Sequence, residues 1–274
     1  MTAGSDALRD AYAKLHWAAS RHDEMLRVFA EFARPGGGDD RPYGIRFHTR
    51  GRPAGLVVAS FIVEEPMPAE MSLLAADLVH NARVALDHIA ARLKDHFGGN
   101  PRQGGFPVCK TEEIWKQRVV DRGTNSPLHG LDQVAVDLIY ADQPLHQQEP
   151  EADPLVVLNR LDNDDKHELL HPAFVYTDVS QGLDLLEIVD RARVIGSTNE
   201  WLPGQPLEDG TKIATFMVRG EAHGVIKARH DARLGFATGD VGSDRTSFTD
   251  MIDRVRGIAD KGAQLVDSKG DGRT

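Results

Sequence analysis

Residues 69–97 read AEMSLLAADLVHNARVALDHIAARLKDHF. Met71, Leu74, Leu78, Ala82, Ala85, Ile89 and Leu93 recur at steps of three and four. That spacing puts apolar side chains on one face of a 3.6-residue turn, so the stretch predicts a long amphipathic helix. GGNPRQGG, at 98–105, ends it. Such a helix buries its stripe only against other elements, and the flanking sequence supplies them.

On the N-terminal side, Leu8, Tyr12, Leu15, Ala19, His22, Leu26, Phe29 and Ala33 mark an earlier helix over 5–33, broken by RPGGGDDRP. His22 falls on its apolar stripe and reads as a core histidine. Tyr43, Ile45, Phe47 and Thr49 alternate with more polar residues. TRGRPAG then turns the chain into LVVASFIVEE, and the pair reads as a β-hairpin over 43–64. On the C-terminal side, shorter helices are expected over 111–120 and 129–140. Asp153 is a suitable N-cap with Pro154 at the first helical position, opening a helix through Leu155, Leu158 and Leu161. After Pro172 the pattern changes to strand-like runs, among them AFVYTDV, TKIATFMVRG and GVIKARHDARLGFA. Phe248, Met251, Ile252, Val255, Ile258 and Ala259 then mark a closing helix. The expected class is α+β: a helical core with a hairpin between its first two long helices, then a C-terminal antiparallel sheet and the closing helix. The expected domains are 1–171 (helical core and hairpin), 172–266 (β region plus last helix, packed on the core) and 267–274 (a flexible tail).

The chain has 274 residues, 41% hydrophobic and 27% charged, with a formal net charge of -10. That is the composition of a globular protein, and it excludes a broad electrostatic hold on nucleic acid. RNA would need a local basic patch. Cys109 is the single cysteine. It rules out a disulfide framework within the chain, fits a reducing compartment and, beside apolar residues, reads as packed and inert. No signal core and no span of about 18 apolar residues is visible, so a cytoplasmic location without membrane contact is expected.

The most conspicuous motif is HELLH at 167–171, which matches the zinc-peptidase pattern H-E-x-x-H. That chemistry needs both histidines on one helical face. Pro172 pushes His171 out of the α region, and Asp164, Asp165 and Lys166 charge the upstream flank. No third histidine follows at the extended spacing, and Glu187, the conceivable third ligand, sits in a strand-like run. The motif therefore does not read as a zinc peptidase. His167 and His171 remain the candidate ligands of an alternative zinc-dependent hydrolase, and no cofactor is otherwise expected. The acidic block Asp162–Asp165 reads first as a solvated helix end, and second as a cluster for a divalent cation or a partner's cation.

The long helix carries its own polar set. Helix geometry puts His80, Arg83 and Asp87 in one outer column, with Asp77, Asn81 and His88 beside the stripe. Arg83 and Asp87 form an i,i+4 pair. Asn81 and His88 need hydrogen-bond partners at the core edge, and Asn81 and Asp165 are the candidate binding residues.

Two segments, LLAADLVHNARVALDHIAARL and LVVLNRLDNDDKHELL, with GGFPV and DQPLH between them, together resemble a family of uncharacterised bacterial proteins common in actinobacteria. The resemblance covers residues 71–171 and implies no activity. That family usually carries a basic residue where this chain has Glu168, so HELLH looks like a substitution within a motif that does not bind zinc. Arg83 and His88 also resemble R-x4-H, the signature of HEPN-type ribonucleases. The resemblance implies metal-independent RNA cleavage, with Arg83 stabilising phosphorane charge and His88 moving a proton; only these two residues carry over, and the hypothesis built on them adds Asp87 as an orienting group with Lys166 or His167 nearby. Arg83 and His88 point about 140° apart on one helix. The reading therefore implies a homodimer with the long helices facing. The competing reading is a non-catalytic binding protein whose polar network fixes the helical core.

Overall fold

The computed structural model describes residues 2–33, 42–49, 56–165, 172–175, 194–199, 206–218, 224–226, 233–236 and 247–271. It is a mostly helical α+β structure. The chain divides into two compact units that interleave along the sequence. One takes Met1–Glu24, Leu73–Leu169 and Arg245–Thr274; the other takes Met25–Ser72 and Leu170–Asp244.

The first unit is helical. It contains α1 (Ala3–Ala7), the start of α2 (Arg9–Ala33), most of α3 (Ala69–Phe97), α4 (Glu112–Trp115), α5 (Gln133–Ala141), α6 (Pro154–Asp165) and α7 (Phe248–Asp271). All seven stripe residues of α3 are buried, and so are Ala75, Val79, Leu86 and Ala90. The apolar arc is wider than a single stripe, which suits a central helix covered on several sides. α7 covers part of it. A Cβ built on Gly262 would lie 3.1 Å from Leu8 and 3.8 Å from Leu93, so α1, α3 and α7 converge there. The Gly4 N–H donates to Asp267 Oδ1 at 2.7 Å, and the Tyr12 hydroxyl donates to Asp260 Oδ1 at 2.7 Å. Burial and the Asp260 carboxylate push the Tyr12 phenol far above its usual range.

Asp142, at the end of α5, ties that helix to α7. Its Oδ1 accepts from Arg254 at 2.9 Å and from Lys261 at 2.7 Å. The neighbouring Gln143 is fully buried; its Oε1 accepts from the Cys109 N–H at 2.9 Å and its amide donates to the Ile139 carbonyl. These two bonds fix the extended segment at 106–109. Cys109 is buried there, and desolvation raises its thiol above the usual range, which disfavours the reactive thiolate.

The second unit contains the strands. β1 (Tyr43–Thr49) and β2 (Leu56–Val63) pair antiparallel with Ile45 opposite Phe61 and Phe47 opposite Ala59. They form the expected hairpin, but it is not free-standing. β4 (Val194–Asn199), β6 (Lys212–Val218) and β7 (Gly224–Ile226) add to it in the order β4-β6-β2-β1-β7. β3 (Pro172–Val175), β5 (Pro206–Leu207) and β8 (Arg233–Phe236) form a second, smaller antiparallel sheet, in the order β5-β3-β8. The expected separate C-terminal sheet is thus only part of the picture. The reason lies in β2: every residue from Val57 to Ile62 is buried, which is the pattern of a central strand flanked on both edges.

Other boundaries differ for local reasons. The first helix is interrupted at Leu8, which lies outside helical geometry at φ -99°, ψ 15°. The helix expected over 129–140 begins only at Gln133, because Gly130 adopts φ +77°. The helix expected over 111–120 starts as α4 and widens into a π-helical turn over Lys116–Val120. α7 runs on to Asp271, past the point where a tail was expected, with Lys269 Nζ donating to the His96 carbonyl and sitting over the Phe97 ring.

Candidate functional site: an arginine-lined cleft

The glycine-rich stretch after α3 folds back along that helix. Lys94, almost fully buried on α3, holds it there: its ammonium donates to the carbonyls of Gln103 at 2.5 Å and Gly104 at 3.1 Å. Desolvation lowers the Lys94 pKa, and the nearby Asp87 carboxylate opposes that shift. Asp87 anchors the next residues. Its Oδ1 accepts from the Phe106 N–H at 2.9 Å. Gly105 makes this approach feasible, since a Cβ there would lie 2.2 Å from the same oxygen.

Arg83 completes the arrangement. Its Nη2 donates to the Phe106 carbonyl at 3.1 Å, and its Nη1 lies 2.9 Å from Asp87 Oδ1. The Nη1 contact is an ion pair outside hydrogen-bond geometry, so that buried nitrogen has its hydrogen-bonding capacity unused. The guanidinium lines a cleft of about 400 Å³ between α3 and the segment following it. Gly104 to Pro107 form one wall. Arg118, Arg122, Asn125 and Pro127 form the other.

The second wall is set by α4. Thr111 caps it, accepting from the Ile114 N–H at 3.3 Å. The buried Trp115 packs on Tyr140 at a centroid distance of 5.0 Å. The π-turn closed by the Asp121 N–H on the Lys116 carbonyl, at 2.8 Å, then carries Arg118 within it and leads to Arg122. π-turns of this kind recur at functional sites, because they re-aim side chains from a helix. Arg118 donates a long 3.4 Å bond to the Val108 carbonyl. Among the described residues, neither Arg118 nor Arg122 is within ion-pair distance of a carboxylate.

A second cleft of about 370 Å³ adjoins the first and shares Arg118. Val108, Ile114 and Val156 form its apolar lining, and Asn159, Asn163 and Asp164 of α6 form its polar side. At its rim Lys110 pairs with Glu151 at 2.6 Å.

The sequence candidates separate into different networks. Arg83 and Asp87 are together at the cleft. His88 is not with them: it is half-buried on the α2 side, near Asp10, whose carboxyl is lowered chiefly by its bond to Arg92. Asn81 is buried in a third network. Its Oδ1 accepts from Lys14 at 3.0 Å and its amide donates to Asp77 Oδ1 at 2.6 Å. α3 and α6 do bring polar groups together, since His80 Nδ1 lies 3.5 Å from the buried Asp162. Asp165 ends α6, half-buried. Lys166, His167, Glu168, His171 and Glu187 lie outside the described residues. Among the described residues no three His, Cys, Asp or Glu side chains converge as metal ligands, and no helix is long and apolar enough to cross a membrane.

Sequence reasoning missed Arg118, Arg122 and Asn125. The available signal was the i,i+4 pair of arginines in WKQRVVDRG, beside no acidic residue except Asp121. Comparison with protein-family models, with curated proteins and with solved structures returned no match for this chain.

Proposed function

We propose that this chain is a binding protein for a phosphorylated ligand, with the phosphate held between Arg83, Arg118 and Arg122. The observation that carries this reading is the pair Arg118 and Arg122: two exposed guanidiniums, without carboxylate partners among the described residues, beside a third in one cleft. In a chain of net charge -10, such a local excess is a directed feature. Planar guanidinium groups match phosphate oxygens with paired N–H donors, and charge-assisted bonds of this kind are the stronger ones. The wall opposite is backbone held rigid by Lys94 and Asp87, which is the preorganisation that anion binding needs. The cleft is also in the size range of small-molecule sites.

Titration calorimetry with inorganic phosphate tests the reading. Saturable binding is expected, and Arg122→Ala should weaken it about tenfold, a loss of about 1.4 kcal/mol. Absence of saturable binding to the intact protein at millimolar phosphate would overturn it.

A second reading, a HEPN-like metal-independent ribonuclease, draws support from Arg83 lining this open basic cleft. His88 points about 140° away on the same helix, so a second copy must bring it to Arg83. The expected outcome is cleavage of single-stranded RNA in excess chelator, lost in both Arg83→Ala and His88→Ala. Mixing the two variants should restore activity, because one of the two shared sites is then intact. RNA left uncut by the wild type excludes this reading and leaves the binding protein.

A further inference from the structure

Resting on the phosphate-binding reading above, we infer that the ligand is a phosphorylated polyol of the sugar-phosphate class, its phosphate in the arginine cleft and its hydroxyl-bearing carbons in the adjoining cleft. The two clefts share Arg118 and meet across the extended backbone at Pro107 and Val108. Their electrostatics differ. The first is lined by three arginines: Arg83 is paired with Asp87 behind it, and Arg118 and Arg122 have no carboxylate partner among the described residues. In the second, apart from the shared Arg118, the cations Lys110 and Arg160 are matched in number, among the described residues, by Glu151 and Asp164. Lys110 and Glu151 are moreover paired with each other at 2.6 Å. A second anionic group therefore gains nothing there, whereas a neutral group rich in hydroxyls does.

The side chains fit that group. Asn159 on α6 offers both donors and acceptors, as hydroxyls require, while a carboxylate such as Asp164 accepts from two hydroxyls. Val108, Ile114 and Val156 supply an aliphatic wall for the carbon skeleton. No aromatic side chain lines this cleft among the described residues, so a nucleobase finds no stacking platform. A polyol ester is thus favoured over a nucleotide, although both carry the same phosphate.

Calorimetry on the full chain with inorganic phosphate, ribose 5-phosphate, ribose and AMP separates the cases. Ribose 5-phosphate is expected to bind at least tenfold more tightly than inorganic phosphate, with AMP no tighter than ribose 5-phosphate and ribose alone undetected. Asn159→Ala should remove most of the tenfold gain while leaving the affinity for inorganic phosphate unchanged, an internal check that the variant is folded. Equal affinities for inorganic phosphate and ribose 5-phosphate would overturn this inference and leave the phosphate-binding reading standing. AMP binding tenfold more tightly than ribose 5-phosphate would overturn it in favour of a base-reading cleft. No binding of any phosphate compound would overturn both.

Discussion

Asp153 shows how a single side chain serves local and distant structure together. Its Oδ1 accepts from the Leu155 N–H at 2.8 Å and caps α6, while its Oδ2 lies 3.8 Å from Arg254. Burial is the largest influence on its carboxyl and raises it above the ordinary value of 3.8; the nearby Asp142 adds to that, and the Leu155 N–H and Arg254 oppose it. The folded state therefore holds this proton more tightly than the unfolded state. The associated stabilisation is fully present below the unfolded value and is lost as pH rises through the folded one. Asn caps a helix about as well as Asp. Asp153→Asn is thus expected to gain stability relative to wild type as pH rises from about 4 to neutrality, in paired urea titrations. A difference that is flat with pH would contradict the burial argument. The cap was legible in the sequence, because Asp before Pro at a helix start is a local signal. Asp142 was not: its partners lie 112 and 119 residues away, and nothing in DQPLH announces them.

At the level of elements, the arginine cleft depends on how closely the 98–105 stretch approaches α3. Gly105→Ala places a methyl group against the Asp87 carboxylate, where there is no room for it. Asp87 must then release the Phe106 N–H and shift relative to Arg83. The expected result is a loss of phosphate affinity of about tenfold, with a destabilisation of about 1–3 kcal/mol in urea titration, the range for overpacking a tight contact. Unchanged affinity would mean that the Asp87 clamp does not shape the cleft. The Arg83–Asp87 pair was readable from its i,i+4 spacing. That Arg118 and Arg122 face Arg83 was not, because periodicity describes one element and not the return of a loop. Periodicity also drifted within α2. The stripe as read from the sequence included Leu26, but the buried apolar positions of α2 are Ala11, Leu15, Ala18, Met25 and Val28, and Leu26 is 44% exposed. Several apolar residues occur on adjacent faces there, so the pattern alone admits more than one phase.

Over the whole molecule, class and order of elements were legible, and the partition was not. Helical and strand periods follow from local spacing, so a helical core, a hairpin and a closing helix emerge from the sequence. Which strands join the hairpin, and which segments share a unit, depends on pairings between distant residues that carry no local mark. The closing helix is the clearest case. Phe248, Met251, Ile252, Val255, Ile258, Ala259, Ala263 and Val266 of α7 are all buried. Each large apolar side chain contributes about 1.5–3 kcal/mol on burial, so the six large ones sum to about 9–18 kcal/mol, as much as the ~5–15 kcal/mol by which domains are stable. Deleting residues 247–274 should therefore abolish cooperative thermal unfolding of the helical signal in circular dichroism. A truncated chain that still melts cooperatively would show that α7 is an accessory.

The union of α1 and α7 also sets the order in which this protein is completed during synthesis. Leu8 and its neighbours leave the ribosome roughly 240 residues before the helix that covers them. At translation rates of about 5–20 residues per second, that is an interval of roughly 10–50 s. Throughout it, the apolar faces at the start of α2 and along α3 lack their α7 cover. Nascent chains of this protein should therefore stay bound to holdase chaperones until α7 emerges, and release should coincide with docking of Asp267 onto the Gly4 N–H.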